Sequence, residues 1–129
     1  DGKKLNRDID LTSNIPSVQS TSQLAIEIAI YMGCNPIYLL GLDHDWLSHR
    51  GMDRHFYKGE TIKFHPKLSN DLSQTTYKSE LEACLRLWNI YEYLKELATR
   101  QGIKILNATA GGFLDVFERI NYEEIIKNK

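Results

Sequence analysis

Two short apolar runs, Ile37-Tyr38-Leu39-Leu40 and Ile103-Lys104-Ile105-Leu106-Asn107, stand on either side of one long helical pattern. That order constrains this chain more than anything else in it. Strands joined through a helix are normally parallel, and a short strand that is apolar on both faces fits a parallel sheet covered by helices. The long pattern runs from about Thr76 to Arg100, with Leu81, Cys84, Leu87, Trp88, Tyr91, Leu94 and Ala98 recurring at three- and four-residue steps. These predict one buried stripe. An earlier helix is expected over Gln23–Met32, opened by the possible caps Ser17 to Ser22 and stopped by Gly33, with Pro36 shortly after. It is apolar almost all round. The tail predicts a short strand at Val116 to Ile120 and a last helix at Tyr122 to Lys127.

The expected architecture is a single three-layer α/β domain over residues 17–129 with a short, mainly parallel sheet, preceded by a polar arm at 1–16. A chain of 129 residues, 42% hydrophobic, can bury one core. With no initiating Met at Asp1, we expect a C-terminal portion of a larger protein, whose missing N-terminal half is a partner for this one. A net charge of −1 carries no footprint for nucleic acid. No apolar run approaches the roughly 20 residues of a transmembrane helix. Cys34 and Cys84 are too few for a disulfide scaffold and sit in apolar context. They predict two buried thiols in a reducing, cytoplasmic compartment.

Parallel pairing puts the C-terminal ends of both strands at one sheet edge, together with the N-termini of the helices that run back against them. Ligands of open α/β sheets bind at that edge. Four groups should meet there. Ser20, Thr21 and Ser22 offer a helix start suited to phosphate. Asp43, His44 and Asp45 follow the first strand, and Asp43 and Asp45, if extended, would aim both carboxylates one way and could hold Mg²⁺ or Mn²⁺. The long connection 42–75 contains all four histidines, His44, His49, His55 and His65. One of His44, His49 and His55 is a candidate general base; their gaps could suit zinc, but no cysteine lies near them. Last come Thr109, Gly111 and Gly112, where glycine lets a ligand approach the backbone. Arg50, Arg54 and Lys58 could pair with phosphate, and Trp46, Phe56 and Tyr57 could stack on a ring. Tyr57 to Phe64 could form a short strand or hairpin. Tyr31, Trp46 and Phe113 could equally face a second copy of the chain in a homo-oligomer or the missing N-terminal half. There is no Gly-x-Gly-x-x-Gly, Walker loop, Gly-x-Ser-x-Gly or zincin motif.

The passages Ser20-Thr21-Ser22, Gly33-Cys34-Asn35-Pro36-Ile37-Tyr38-Leu39-Leu40-Gly41-Leu42-Asp43 and Ile105-Leu106-Asn107-Ala108-Thr109-Ala110-Gly111-Gly112 resemble the 6-hydroxymethylpterin diphosphokinase MptE-like family. That family includes motility-associated flagellin glycosylation factors and proteins of bacterial surface-polysaccharide loci. The layout is also similar to CMP-sialate-dependent bacterial sialyltransferases. The resemblance covers about residues 17–126. It implies a Rossmann-like domain handling a nucleotide or nucleotide-sugar, with phosphate near Ser20 to Ser22, Asp43 at the strand end and Thr109 to Gly112 by the nucleotide. Where the sialyltransferases carry a base histidine before their second long helix, this chain has Ser73-Gln74-Thr75-Thr76. Three functions stay open: a glycosyltransferase-like domain of surface-glycan assembly, a diphosphokinase-type transfer from ATP to a pterin-like alcohol, and a non-catalytic interaction module.

Overall fold

The structure, a computed structural model, describes residues 11, 18–49 and 76–127, His49 by its backbone alone. Helix α1 spans Thr21–Tyr31, strand β1 Ile37–Leu39, helix α2 Tyr77–Arg100, strand β2 Ile105–Asn107, strand β3 Glu118–Arg119 and helix α3 Tyr122–Lys127. A 3-10 turn occupies Trp46–His49. The possible strand or hairpin at 57–64 and the polar arm at 1–10 and 12–16 lie outside the described residues.

Both long helices end as their sequences dictate. After α1, Gly33 N–H donates to Ile30 O (2.9 Å) and Cys34 N–H to Ala29 O (3.0 Å). After α2, Gly102 N–H donates to Thr99 O (3.0 Å) and Ile103 N–H to Ala98 O (2.8 Å). These paired bonds need a left-handed residue, and Gly33 (φ 73°) and Gly102 (φ 70°) supply it. Each helix is thereby turned back into a strand within a few residues.

The three strands form one sheet in the order β1-β2-β3, all parallel. Ile37 pairs with Ile105, Leu39 with Asn107, and Leu106 with Glu118. Alternation along the strands divides the sheet. Ile37, Leu39 and Ile105 join Ile26 and Ile30 of α1 and Leu87, Tyr91, Leu94, Leu97 and Ala98 of α2 in one core. Tyr38 and Leu40 point the other way and are exposed, and Leu106 is buried outside that core. Between β2 and β3 the chain has no helix. Residues 108–117 instead place Leu114, Val116 and Phe117 in the same core as α1 and α2.

Four expectations need correction. The side of the first strand that carries Tyr38 and Leu40 is exposed rather than covered by a helix, while α1 and α2 both pack into the one core. The stripe of α2 is buried only from Leu87 onward, while Leu81 is 45% exposed. The physical reason is length. A helix of 24 residues runs about 36 Å, whereas strands of three residues span about 10 Å, so the first turns of α2 overrun the sheet. Cys34 is exposed, just past the end of α1, and Cys84 is half-buried. Helix α1 is not uniformly apolar inside: Gln23 and Glu27 are fully buried alongside Ile26 and Ile30, while Ile28 and Met32 are exposed. Gln23 is satisfied there, donating to Leu87 O (3.0 Å) and accepting from Gln19 N–H (2.9 Å). Among the described residues no helix is long and apolar enough to cross a membrane.

Candidate functional site at the carboxyl edge of the sheet

Beyond β1 the chain bends sharply. Gly41 has φ 76°, and His44 has φ 47°, the sole non-glycine with positive φ among the described residues. A side chain held in that region costs of order 1 kcal/mol or more, and persists only where its surroundings fix it. Here they do. Leu42 N–H donates to Thr109 Oγ1 (3.0 Å), and Phe113 N–H donates to Asp43 O (2.7 Å). The segment after β1 is thereby fastened to the turn after β2.

His44 lies in an aromatic recess. Its ring centroid is 5.0 Å from that of Trp46, edge-on, 5.4 Å from Tyr91 and 5.9 Å from Trp88. Nε2 lies 2.7 Å from the hydroxyl of Tyr91, which is itself 2.9 Å from Ser22 Oγ. Ser22 Oγ is in turn 2.9 Å from Ser20 Oγ, the cap that accepts the N–H of Gln23 (3.3 Å). A single chain of hydroxyls thus runs from the start of α1 through the fully buried Tyr91 to the imidazole after β1. Burial pulls the His44 pKa down, and the neighbouring Asp43 carboxylate partly opposes this. Asp43 is exposed, as are Trp46 (43%) and Phe113 (53%). The first turn of α1 carries no acidic residue, so its positive end is not neutralised locally.

The turn after β2 is built from below. Asn107, fully buried, donates through Nδ2 to Leu114 O (3.0 Å) and accepts Thr109 N–H on Oδ1 (3.0 Å). Arg119 then gathers the loop's carbonyls: Nη1 donates to Thr109 O and Gly111 O, and Nη2 to Gly112 O and Leu114 O. One guanidinium holds four oxygens that a lysine, with its compact ammonium, cannot span. Arg119→Lys is therefore expected to loosen residues 110–114 selectively. Their amide hydrogen exchange should rise about tenfold, from loss of roughly 1–1.5 kcal/mol of local hydrogen bonding, while β2 keeps its protection. Equal exchange in the variant and the parent would show that the guanidinium does not hold the loop.

Of the residues named from sequence, Ser20, Ser22, Asp43, His44, Thr109, Gly111 and Gly112 come together at this edge. Several do so with their groups already engaged. Thr109 Oγ1 receives Leu42 N–H, and the space beside Gly112 is filled by the backbone of Asp43 rather than left open, whereas nothing lies within 4 Å of where a Cβ at Gly111 would sit. Thr21 is exposed on the first turn. Asp43 and Asp45 do not sit on the extended backbone expected for them, because His44 between them has a positive φ that turns the chain. Among the described residues no three His, Cys, Asp or Glu side chains group as a metal site would need. The His49 side chain, His55, His65, Arg50, Arg54, Lys58, Phe56 and Tyr57 lie outside the described residues. Sequence reasoning assigned Tyr91 and Trp88 to the core stripe alone. Trp88 instead walls the recess and donates from Nε1 to Asp115 Oδ1 (2.9 Å). A polar atom on a stripe of otherwise apolar residues was the available signal. Asn107 and Arg119 gave none beyond their polarity within strand-like runs. No family model matches the chain, and neither a search of curated proteins nor one of solved structures returns a match.

Proposed function

We propose that this edge is a nucleotide or nucleotide-sugar site, and that the chain is the glycosyltransferase-like, Rossmann-like part of an enzyme of bacterial surface-glycan assembly. The observation that supports it is the convergence of three separate segments, the start of α1, residues 42–46 and residues 109–113, locked by Leu42–Thr109, Asp43–Phe113 and His44–Tyr91–Ser22 hydrogen bonds. Trp46, edge-on to His44, and Phe113, whose N–H bonds Asp43 O, are both exposed and offer apolar surface to a base or sugar ring. In this reading the α1 start faces phosphate and Asp43 orients a sugar hydroxyl. In transfer, an acceptor oxygen bonds to the sugar's anomeric carbon and the carbon–oxygen bond to the nucleotide's phosphate breaks. The acceptor's proton passes to a side-chain base and the nucleotide leaves with the electron pair. No step here passes through a metal ion.

Calorimetric titration of the chain with CMP, CDP, UDP and GDP tests the proposal. At least one should bind with Kd between about 10 μM and 1 mM, the usual range for such substrates. Asp43→Ala should weaken it at least about fivefold, the loss of one hydrogen bond of roughly 1 kcal/mol. Failure of all four to bind overturns it. Binding of ATP alone, and only with Mg²⁺, would move the site to phosphoryl transfer onto a pterin-like alcohol.

A further inference from the structure

We infer that His44 acts as a neutral hydrogen-bond donor through Nδ1–H, and that Tyr91 is the positioning residue that imposes this tautomer. Each hydroxyl has one hydrogen to give. At the far end Ser20 Oγ already accepts the N–H of Gln23, which leaves its hydrogen for Ser22 Oγ, 2.9 Å away. Ser22 then gives its hydrogen to Tyr91 (2.9 Å), and Tyr91 gives its own to His44 Nε2 (2.7 Å). Run in reverse, the chain would aim every O–H dipole toward the positive end of α1, which favours oxygen rather than hydrogen. It would also leave the Ser20 hydrogen without a partner among the described residues. Both directions close the three links, but only the forward one also uses the Ser20 hydrogen and turns the O–H dipoles away from the positive end of α1; on that ground Nε2 is the acceptor and the neutral ring carries its proton on Nδ1.

That proton has consequences for the site. Nδ1 makes no hydrogen bond to a described residue, and in this proposal it is the nitrogen that meets the ligand. A base must present a lone pair, but the ring's lone pair is the one Tyr91 occupies. His44 therefore recognises an acceptor oxygen, a phosphoryl or sugar oxygen in the reading above, and the acceptor's proton goes elsewhere. The ligand's identity rests on that reading; the wiring of the ring does not.

Nitrogen-15 spectra of histidine-labelled protein, taken where the rings are neutral, report which ring nitrogen is protonated. The His44 signal is identified by its loss in His44→Gln. The expected result is Nδ1–H for the parent chain. Tyr91→Phe removes the donor to Nε2 and should shift the tautomer ratio about tenfold toward Nε2–H, as expected for one hydrogen bond of roughly 1.4 kcal/mol. Ser22→Ala should leave the ring as Nδ1–H, because Tyr91 still donates to it. Had the chain run the other way, this change would deprive Tyr91 of its acceptor and swing the ring. Nε2–H in the parent, or a tautomer that swings with Ser22→Ala, overturns the proposal even if Tyr91→Phe fails to fold. Absence of nucleotide binding would count against the functional reading alone.

Discussion

Gly112→Ala is expected to cost about 3 kcal/mol of stability and to lower the melting temperature by roughly 10 °C. A Cβ at this position would overlap Asp43 O and lie 2.6 Å from Asp43 Cα, both backbone atoms that cannot rotate aside. The residue also sits at φ +74°, where an L side chain is strained by about 1–2 kcal/mol. Gly111→Ala separates the two effects. Its φ is +83° but nothing lies within 4 Å of the added carbon, so only the backbone strain applies. The difference between the variants is the steric cost of forcing the two turns apart. Because Phe113 N–H bonds Asp43 O beside this contact, the displacement should also release the His44–Tyr91 link and abolish any nucleotide binding in Gly112→Ala while Gly111→Ala retains it. Equal melting temperatures for the two would mean that the turns do not touch in solution.

That contact also shows where sequence reasoning reaches its limit. The parallel order of the strands was readable, because short apolar runs on either side of a capped helix allow few other arrangements. From parallelism alone it followed that Asp43 and the Thr109 to Gly112 turn share an edge. What the pattern could not show is how close they come. Gly-Gly after a strand suggests room for a ligand, yet at Gly112 the room is taken by the chain's own backbone. Trp88 and Tyr91 occupy the same register as Leu87 and Leu94, so periodicity assigns them all to the core. Their hydroxyl and indole N–H meet His44 and Asp115 only through tertiary placement. The rotation of α1 was likewise hidden. In a helix with apolar residues on every side, the buried face is decided by Ile26 and Ile30 and by the Gln23–Leu87 and Ser22–Tyr91 bonds, none of which is local.

The rotation of α1 has the second large consequence. Glu27 is fully buried, and neither carboxylate oxygen has a hydrogen-bond partner among the described residues. Burial raises its pKa above the usual carboxylate value. The sign of the stability effect follows from linkage. With the folded pKa above the unfolded one, the folded chain binds more protons than the unfolded chain across the interval between them. The Glu27 contribution to stability is therefore greatest below the unfolded value near 4.5, declines as pH rises through the folded pKa, and levels off above it. An uncompensated buried carboxylate costs about 2–4 kcal/mol. Glu27→Gln keeps the shape and removes the ionisation. The variant is expected to exceed the parent at pH 8 by about 2 kcal/mol in urea denaturation, with the gap closing as both are taken down to pH 4. Glu27→Met, which also removes the unbonded polar atoms, should gain at least as much and keep its advantage at low pH, since a neutral carboxyl without a partner still costs about 1 kcal/mol or more. A parent stability that stays level or rises between pH 4.5 and 8 relative to Glu27→Gln would show that the carboxylate finds a partner in solution, and that α1 does not bury this face as described.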